Sequence, residues 1–236
     1  MTGEAAVRLN KYSEVRESIY GKHVRSSDML LTGLIYGCTA VSLLILVGIL
    51  GYTFVRGIPH VTWSFLSTAS SAVKGTFGIL GNIINTIYIV VITLLIATPI
   101  GVGSAVYLNE YAKPGKIVRM IEFTTETLSG IPSIIFGLFG MVFFGNTIGL
   151  GYSILTGSLT LTLMILPLIT RTTQEALKTV PDSYRHGALG IGATKWYMIR
   201  TILLPSAMPG IVTGVILAIG RIVGESAALL FTAGSG

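Results

Sequence analysis

The sequence predicts an all-α, polytopic helical membrane protein, and three observations carry that reading. The 236-residue chain is 51% hydrophobic and only 11% charged, where a soluble domain is about a quarter charged. Five apolar runs, roughly 30–55, 82–107, 127–146, 152–170 and 204–230, approach or exceed the ~20 residues that cross a hydrocarbon core of ~30 Å. The net charge of +6 is concentrated between the runs, an arrangement that follows membrane topology and gives no reason to expect nucleic acid.

Residues 1–28 are polar and mixed in charge, without the apolar core or small-residue cleavage site of a signal peptide. Val7, Leu9, Val15 and Ile19 form a weak apolar stripe within a segment expected to be a cytosolic tail, ahead of a transmembrane domain over 29–236. Basic residues cluster before the first run (Arg8, Lys11, Arg16, Lys22, Arg25), after the second (Lys113, Lys116, Arg119) and between the fourth and fifth (Arg171, Lys178, Arg185, Lys195, Arg200). The opposite side receives only Arg56 and Lys74, so the positive-inside rule predicts a cytoplasmic N-terminus. Five spans would leave the C-terminus outside, and a sixth is expected beyond residue 236.

Cys38 lies alone in the first run, with no partner for an internal disulfide or a metal. The loop 56–81 mixes Pro, Gly and Ser with aromatic residues, as an interfacial excursion with Trp63 and Phe65 at headgroup depth would. Asn82, Asn85 and Thr86 fall about one turn apart on one face of the second run. Their amides suit either a neighbouring helix or a pathway lining. Pro99, Gly101, Gly103, Pro132, Gly137, Pro167, Pro205 and Pro209 interrupt the runs and predict kinks and close backbone approach.

Between the fourth and fifth runs the chain reads "RTTQEALKTVPDSYRHGALGIGATKWYMIRTILLPSAMPG". Pro181 must end the preceding helix, Asp182 or Ser183 can cap a short new one, and Gly190 and Gly192 permit a sharp turn after Leu189. Thr194 can cap the next helix, which leads into the membrane at Pro205. A short helix on a basic surface between two spans is either a docking knob for another protein or a loop helix packed on its own bundle.

This segment resembles the coupling loop of ABC-importer permeases, the EAA loop. His186, Gly187 and Ala188 fall where that motif has Glu, Ala and Ala, Gly192 falls on its glycine, and Leu204 and Pro205 on its Leu-Pro. His186 and Gly187 depart from the motif, while Tyr184, Arg185, Ala193, Lys195 and Trp196 fit it. The stretches "GVGSAVYLNEYA" (101–112), "ETLSGIPSIIFGLFG" (126–140), "RTTQEALKTVPDSYR" (171–185) and "GRIVGESAALLFTAG" (220–234) are similar to phosphate-importer permeases of the PstA type. The resemblance implies a type I importer permease fold with six spans in a prokaryotic plasma membrane. It also implies a cytosolic coupling loop at 172–200, in which Asp182, Tyr184, Arg185, His186, Gly187, Ala188, Gly192, Ala193 and Lys195 meet the ATPase. The implied partners are a second permease (PstC type), two ATPase subunits (PstB type) and an extracytoplasmic phosphate-binding protein (PstS type). No cofactor is implied.

Arg221 and Glu225 are the ionisable pair of the fifth run, and a charge at the bilayer centre costs about 2.5–3.5 kcal/mol on insertion scales. At spacing i, i+4 on one helix they could simply neutralise each other. The resemblance instead favours a translocation role, since a guanidinium offers paired donors to an oxyanion and keeps its charge. Arg171 and Asn85 are further pathway candidates, although the position of Arg171 is first of all that of a positive-inside anchor. Glu122 and Glu126 are expected to face the cytosol or pair with Lys116 and Arg119.

Three function classes compete: a transport subunit driven by a partner ATPase, an ion-coupled secondary transporter, and a membrane enzyme. No Walker A pattern is present, so ATP hydrolysis would fall to the partner. A secondary transporter would carry ionisable groups in several spans, whereas here only the fifth does. His23, His60 and His186 lie in separate loops and mark no catalytic cluster.

Overall fold

The computed structural model describes residues 26–71 and 75–234. The expected N-terminal surface segment, up to residue 25, and Lys74 lie outside the described residues. The chain divides into two compact units, Met1–Trp63 and Ser64–Gly236. The first contains helix α1 (Ser26–Gly57), closed by a 3₁₀ turn at Ile58–His60. From Asp28 onward α1 is apolar and exposed along its whole length, as a helix bathed in lipid is.

The second unit begins around a short helix, α2 (Trp63–Ser67), and a two-stranded antiparallel hairpin, β1 (Ala69–Ser71) and β2 (Thr76–Ile79). The loop expected as an excursion thus folds back on itself, with Gly75 in the left-handed region at φ +59°. Trp63 remains exposed.

Helix α3 (Leu80–Val106) passes without a break into a π-helical turn at Tyr107–Tyr111. Helix α4 (Lys116–Ser129) is followed by α5 (Ser133–Gly140) with its π-helical extension Met141–Thr147. Helix α6 (Ile154–Lys178) lies at the centre of the unit, and α7 (Asp182–Gly190) is the loop helix. Helix α8 (Lys195–Met198), a π turn at Ile199–Leu203 and α9 (Leu204–Val223) form one continuous helix, and α10 (Ala227–Thr232) follows.

Two of the expected spans are corrected. The run 127–146 is no single straight helix, because α4 and α5 meet at a bend of 101°. Gly130 and Pro132 explain the break, since proline cannot continue the hydrogen-bond ladder and biases its predecessor away from helix. The fifth helix runs over Lys195–Val223 rather than 204–230. Pro205 opens no helix there: the π turn directly before it supplies the slack that a residue without an N–H needs. Four helices are long and apolar enough to cross a membrane, or five if the bent pair counts as one.

Around α6 the helices approach closely because their glycines sit directly against its side chains. A Cβ on Gly140 would collide with Thr160, one on Gly214 with Thr172, and one on Gly101 would lie 2.8 Å from Ile169 Cγ2. Buried Thr160 and Thr162 donate to carbonyls one turn back, and Thr93 of α3 donates to the Ser158 carbonyl of α6 at 3.3 Å. The apolar core lies along these contacts in two patches, one around Leu161, Ile165 and Ile169, the other around Leu177, Met198 and Leu203 nearer α7.

Replacing Gly140 or Gly214 by valine should therefore overpack the α6 contact and destabilise the bundle by about 1–3 kcal/mol, whereas Gly103→Ala, with nothing within 4 Å of the new Cβ, should be neutral or stabilising. Thermal unfolding of the detergent-solubilised complex checks this. Equal midpoints for the two valine variants and Gly103→Ala would remove the packing argument.

Candidate functional site

Helix α7 owes its bounds to Pro181, which stands at its N-cap with extended backbone. Neither Asp182 nor Ser183 caps it, contrary to expectation: Asp182 is its first helical residue and pairs with Arg185 at 3.0 Å. Its C-terminus closes with Gly192 N–H donating to the Leu189 carbonyl and Ala193 N–H to the Ala188 carbonyl, both at 3.0 Å. This double bond pattern requires a left-handed residue, which Gly192 supplies at φ +87°, while Gly190 is ordinary helix. Thr194 caps α8 by accepting from Tyr197 N–H at 3.3 Å, as the sequence suggested.

The expected coupling residues fall into two groups. Tyr184, His186, Gly187, Lys195 and Trp196 are exposed, as are Leu189 and Ile191, the last 87% exposed at the tip. Ala188 is buried and Ala193 packs against the same apolar patch.

Arg185 also turns inward, with 17% of its side chain exposed, and meets Glu110 at the end of α3, which is 5% exposed. Arg185 Nε and Nη2 both donate to Glu110 Oε1, at 3.2 and 3.0 Å. Nη1 reaches the Val180 carbonyl and Nη2 the Leu177 carbonyl, each at 2.9 Å. Sequence reasoning missed Glu110, although it is the single carboxylate of the stretch 101–112 and stands where an apolar span ends.

The pathway candidates do not converge on one site. Helix α9 ends at Val223, and Gly224 turns the chain, so Arg221 and Glu225 share no helix face. Glu225 Oε1 instead accepts from Ala228 N–H at 3.0 Å and caps α10. The Arg221–Glu225 ion pair is absent, and among the described residues no carboxylate lies within salt-bridge distance of Arg221, which is exposed. Gly224 followed by Glu225 and Ser226 ahead of the apolar run at Ala227 was the available signal for a new helix start.

Arg185 and Glu110 place the end of α3 beside the loop, and α9's helix starts from that loop, so the two run in opposite directions. Contacts with α6 set their levels: Gly210 and Gly214 of α9 meet Ala176 and Thr172, while Gly101 and Thr93 of α3 meet Ile169 and Ser158. Arg221, seven residues past Gly214, therefore falls alongside the middle of α6, and Asn85, eight residues before Thr93, falls near the end remote from α7, more than about 10 Å away along the bundle. Asn85 is exposed and has no hydrogen-bond partner among the described residues.

Arg171 sits at the other end, near α7. It bridges Glu126 of α4 at 3.5 Å and Glu175 at 3.6 Å, so Glu126 pairs with Arg171 rather than with Lys116 or Arg119. These groups, with Glu122, Gln174 and Lys178, line an open cleft of about 220 Å³. Arg171 is 57% exposed, so its pairs contribute little to stability.

Residues 97–236 match the family described as binding-protein-dependent transport system inner membrane component. A Bacillus subtilis protein named probable ABC transporter permease YqgI is 43% identical over 208 residues, covering 88% of this chain and 71% of that protein. The phosphate transport system permease protein PstA of Haemophilus influenzae is 35% identical over 209 residues, covering 89% and 74%. PstA 2 of Mycobacterium bovis is 37% identical over 179 residues, covering 76% and 58%. A solved chain from an inward-facing conformation of the MetNI methionine ABC transporter superposes with a TM-score of 0.52 at 26% identity, covering 64% of this chain and 70% of that one. A family match over more than half of the chain, and relatives above 30% identity across most of it, show that the chain belongs to the inner membrane permease components of binding-protein-dependent ABC transport systems.

Proposed function

We propose that this permease forms half of the translocation pathway of an ATP-driven phosphate importer. As a member of its family it is a multi-pass inner membrane protein without catalysis of its own, working with a partner permease, an ATPase and a substrate-binding protein. Phosphate, and partners of the PstB, PstC and PstS types, are the finer reading, supported by the names of the PstA relatives. YqgI carries no substrate in its name, which keeps another oxyanion as the second reading.

The observation that carries the phosphate reading is the uncompensated charge of Arg221. Its intended neutraliser, Glu225, is occupied as a helix cap. An exposed guanidinium at the end of a long apolar helix is costly unless it meets water or an anion, and its paired donors match a tetrahedral oxyanion. Asn85, nearer the end remote from α7, adds an amide that an anion could meet on its way to Arg221. With the N-terminus and α7 on the cytoplasmic side, as the basic loop segments favour, Asn85 falls toward the outer mouth, where a binding protein would deliver its cargo, and Arg221 lies deeper, alongside the middle of α6. At the inner mouth the carboxylates around Arg171 keep that arginine from holding an anion tightly, as release requires.

ATPase engagement belongs to the exposed face of α7 and the Ile191 tip, with Arg185 and Ala188 as its internal support. The turn is fixed by Gly192 and is presented rigidly.

In proteoliposomes with the complete complex, Arg221→Ala should assemble normally and lower ATP-dependent phosphate uptake at least tenfold, about 1.4 kcal/mol of lost stabilisation. Excess sulfate should compete weakly with the wild type. Normal uptake by the variant would make Arg221 structural, and equal inhibition by sulfate would move the substrate to oxyanions at large. A chain in which residues 182–195 are exchanged for a Gly/Ser linker should insert in the membrane but lose co-purification with the ATPase; retained co-purification would defeat the docking role.

A further inference from the structure

We propose that Glu110 is a positioning residue that transmits movement of the loop helix α7 to the membrane-spanning helix α3. The inference deepens the proposed function, since it rests on α7 being where the ATPase engages. It is carried by the hydrogen-bond set of Arg185, which ties three helix ends together with one guanidinium. Leu177 and Val180 offer carbonyls from the end of α6, Asp182 belongs to the first turn of α7, and Glu110 ends α3. The last carbonyls of a helix lack intrahelical partners, so the cation satisfies groups that would otherwise need water.

Glu110 is the most enclosed member of this set, and its Oε1 also accepts from Asn109 Nδ2 at 2.8 Å. A carboxylate so shielded and so charge-assisted resists separation from its partner, which makes the pair a stiff joint rather than a sliding contact.

The neighbouring residue doubles the joint. Lys195 Nζ, at the start of α8, lies 4.9 Å from the centroid of the Tyr111 ring, within cation–π range. One π-helical turn, Tyr107–Tyr111, thereby grips the helices on both sides of the Gly192 turn. Little else links α7 to the bundle, because Ala188 is its single buried residue. Displacement of α7 has a short route into α3, and α3 carries Asn85 at its far end. Spatial continuity alone does not establish coupling, and so the readout must be coupling itself.

The test uses the complete complex in proteoliposomes and measures phosphate imported per ATP hydrolysed, together with ATPase co-purification. Glu110→Gln keeps the shape and the accepting oxygen and removes the charge. The proposal expects it to assemble, bind the ATPase and hydrolyse ATP, while phosphate imported per ATP falls at least fivefold. A second variant, Glu110→Cys with Arg185→Cys in a Cys38→Ser background, is expected to be uncoupled and to recover import when a short bifunctional thiol reagent rejoins the two positions.

A wild-type ratio in Glu110→Gln, or no recovery on cross-linking, overturns the proposal. Failure of Glu110→Gln to assemble assigns the residue to folding and overturns it as well. A wild-type complex that hydrolyses ATP without importing phosphate sinks the importer reading first and the joint with it, an outcome visible before any variant is made.

Discussion

The structure depends on how closely helices can approach α6. In hydrocarbon no water is displaced when two helices meet, so the hydrophobic effect that assembles soluble cores is largely absent between spans. What remains is dispersion at short range and a few hydrogen bonds, both of which require small side chains at the crossing. Helix α6 supplies them through Thr156, Ser158, Thr160, Thr172 and Thr173, and its neighbours answer with Gly101, Gly140 and Gly214. Threonine suits this position because it can return its hydroxyl to its own helix, as Thr160 and Thr162 do, so that the oxygen Thr160 turns toward Gly140 is already hydrogen-bonded.

The same scarcity of water explains where the backbone departs from α-helix. Each π turn lies inside or at the end of a long helix, at Tyr107–Tyr111, Met141–Thr147 and Ile199–Leu203, so the peptide groups stay bonded within the segment. Where Pro205 removes a donor, the turn before it widens instead of the helix ending. Where Gly130 and Pro132 come together, the chain bends by 101°, and α5 alone is too short to cross.

Apolar length, basic asymmetry and the glycine of the α7 turn were legible from the chain because each depends on local composition or local geometry. Gly192 illustrates this: the sequence places a glycine where a short helix must stop, and the structure uses its positive φ there. Features that join distant segments were not legible. Glu110 and Arg185 stand 75 residues apart, and neither neighbourhood states that the other exists. Arg221 and Glu225 failed for the opposite reason. Their spacing is informative only inside an unbroken helix, and Gly224, a weak breaker by itself, became a real one because Glu225 could cap the next helix.

In the proposed function Arg185 and Arg221 put one kind of side chain to two uses. At the loop end the guanidinium is enclosed, and carboxylates and carbonyls take up all five of its donors. Nothing is left over for a ligand, and its value is mechanical. Arg221, alongside the middle of α6, has no carboxylate in reach among the described residues, so in the proposed pathway its donors remain available to an anion. A permease needs both: a cation that never lets go, so that force is carried, and a cation without a fixed partner, so that an anion can be met and released. Exchanging the two environments would give a pathway that holds no anion and a loop that swings without moving the helices. The difference between them is set in one case by Glu110, one residue before the end of the π turn that continues α3, and in the other by a glycine that turns a glutamate away.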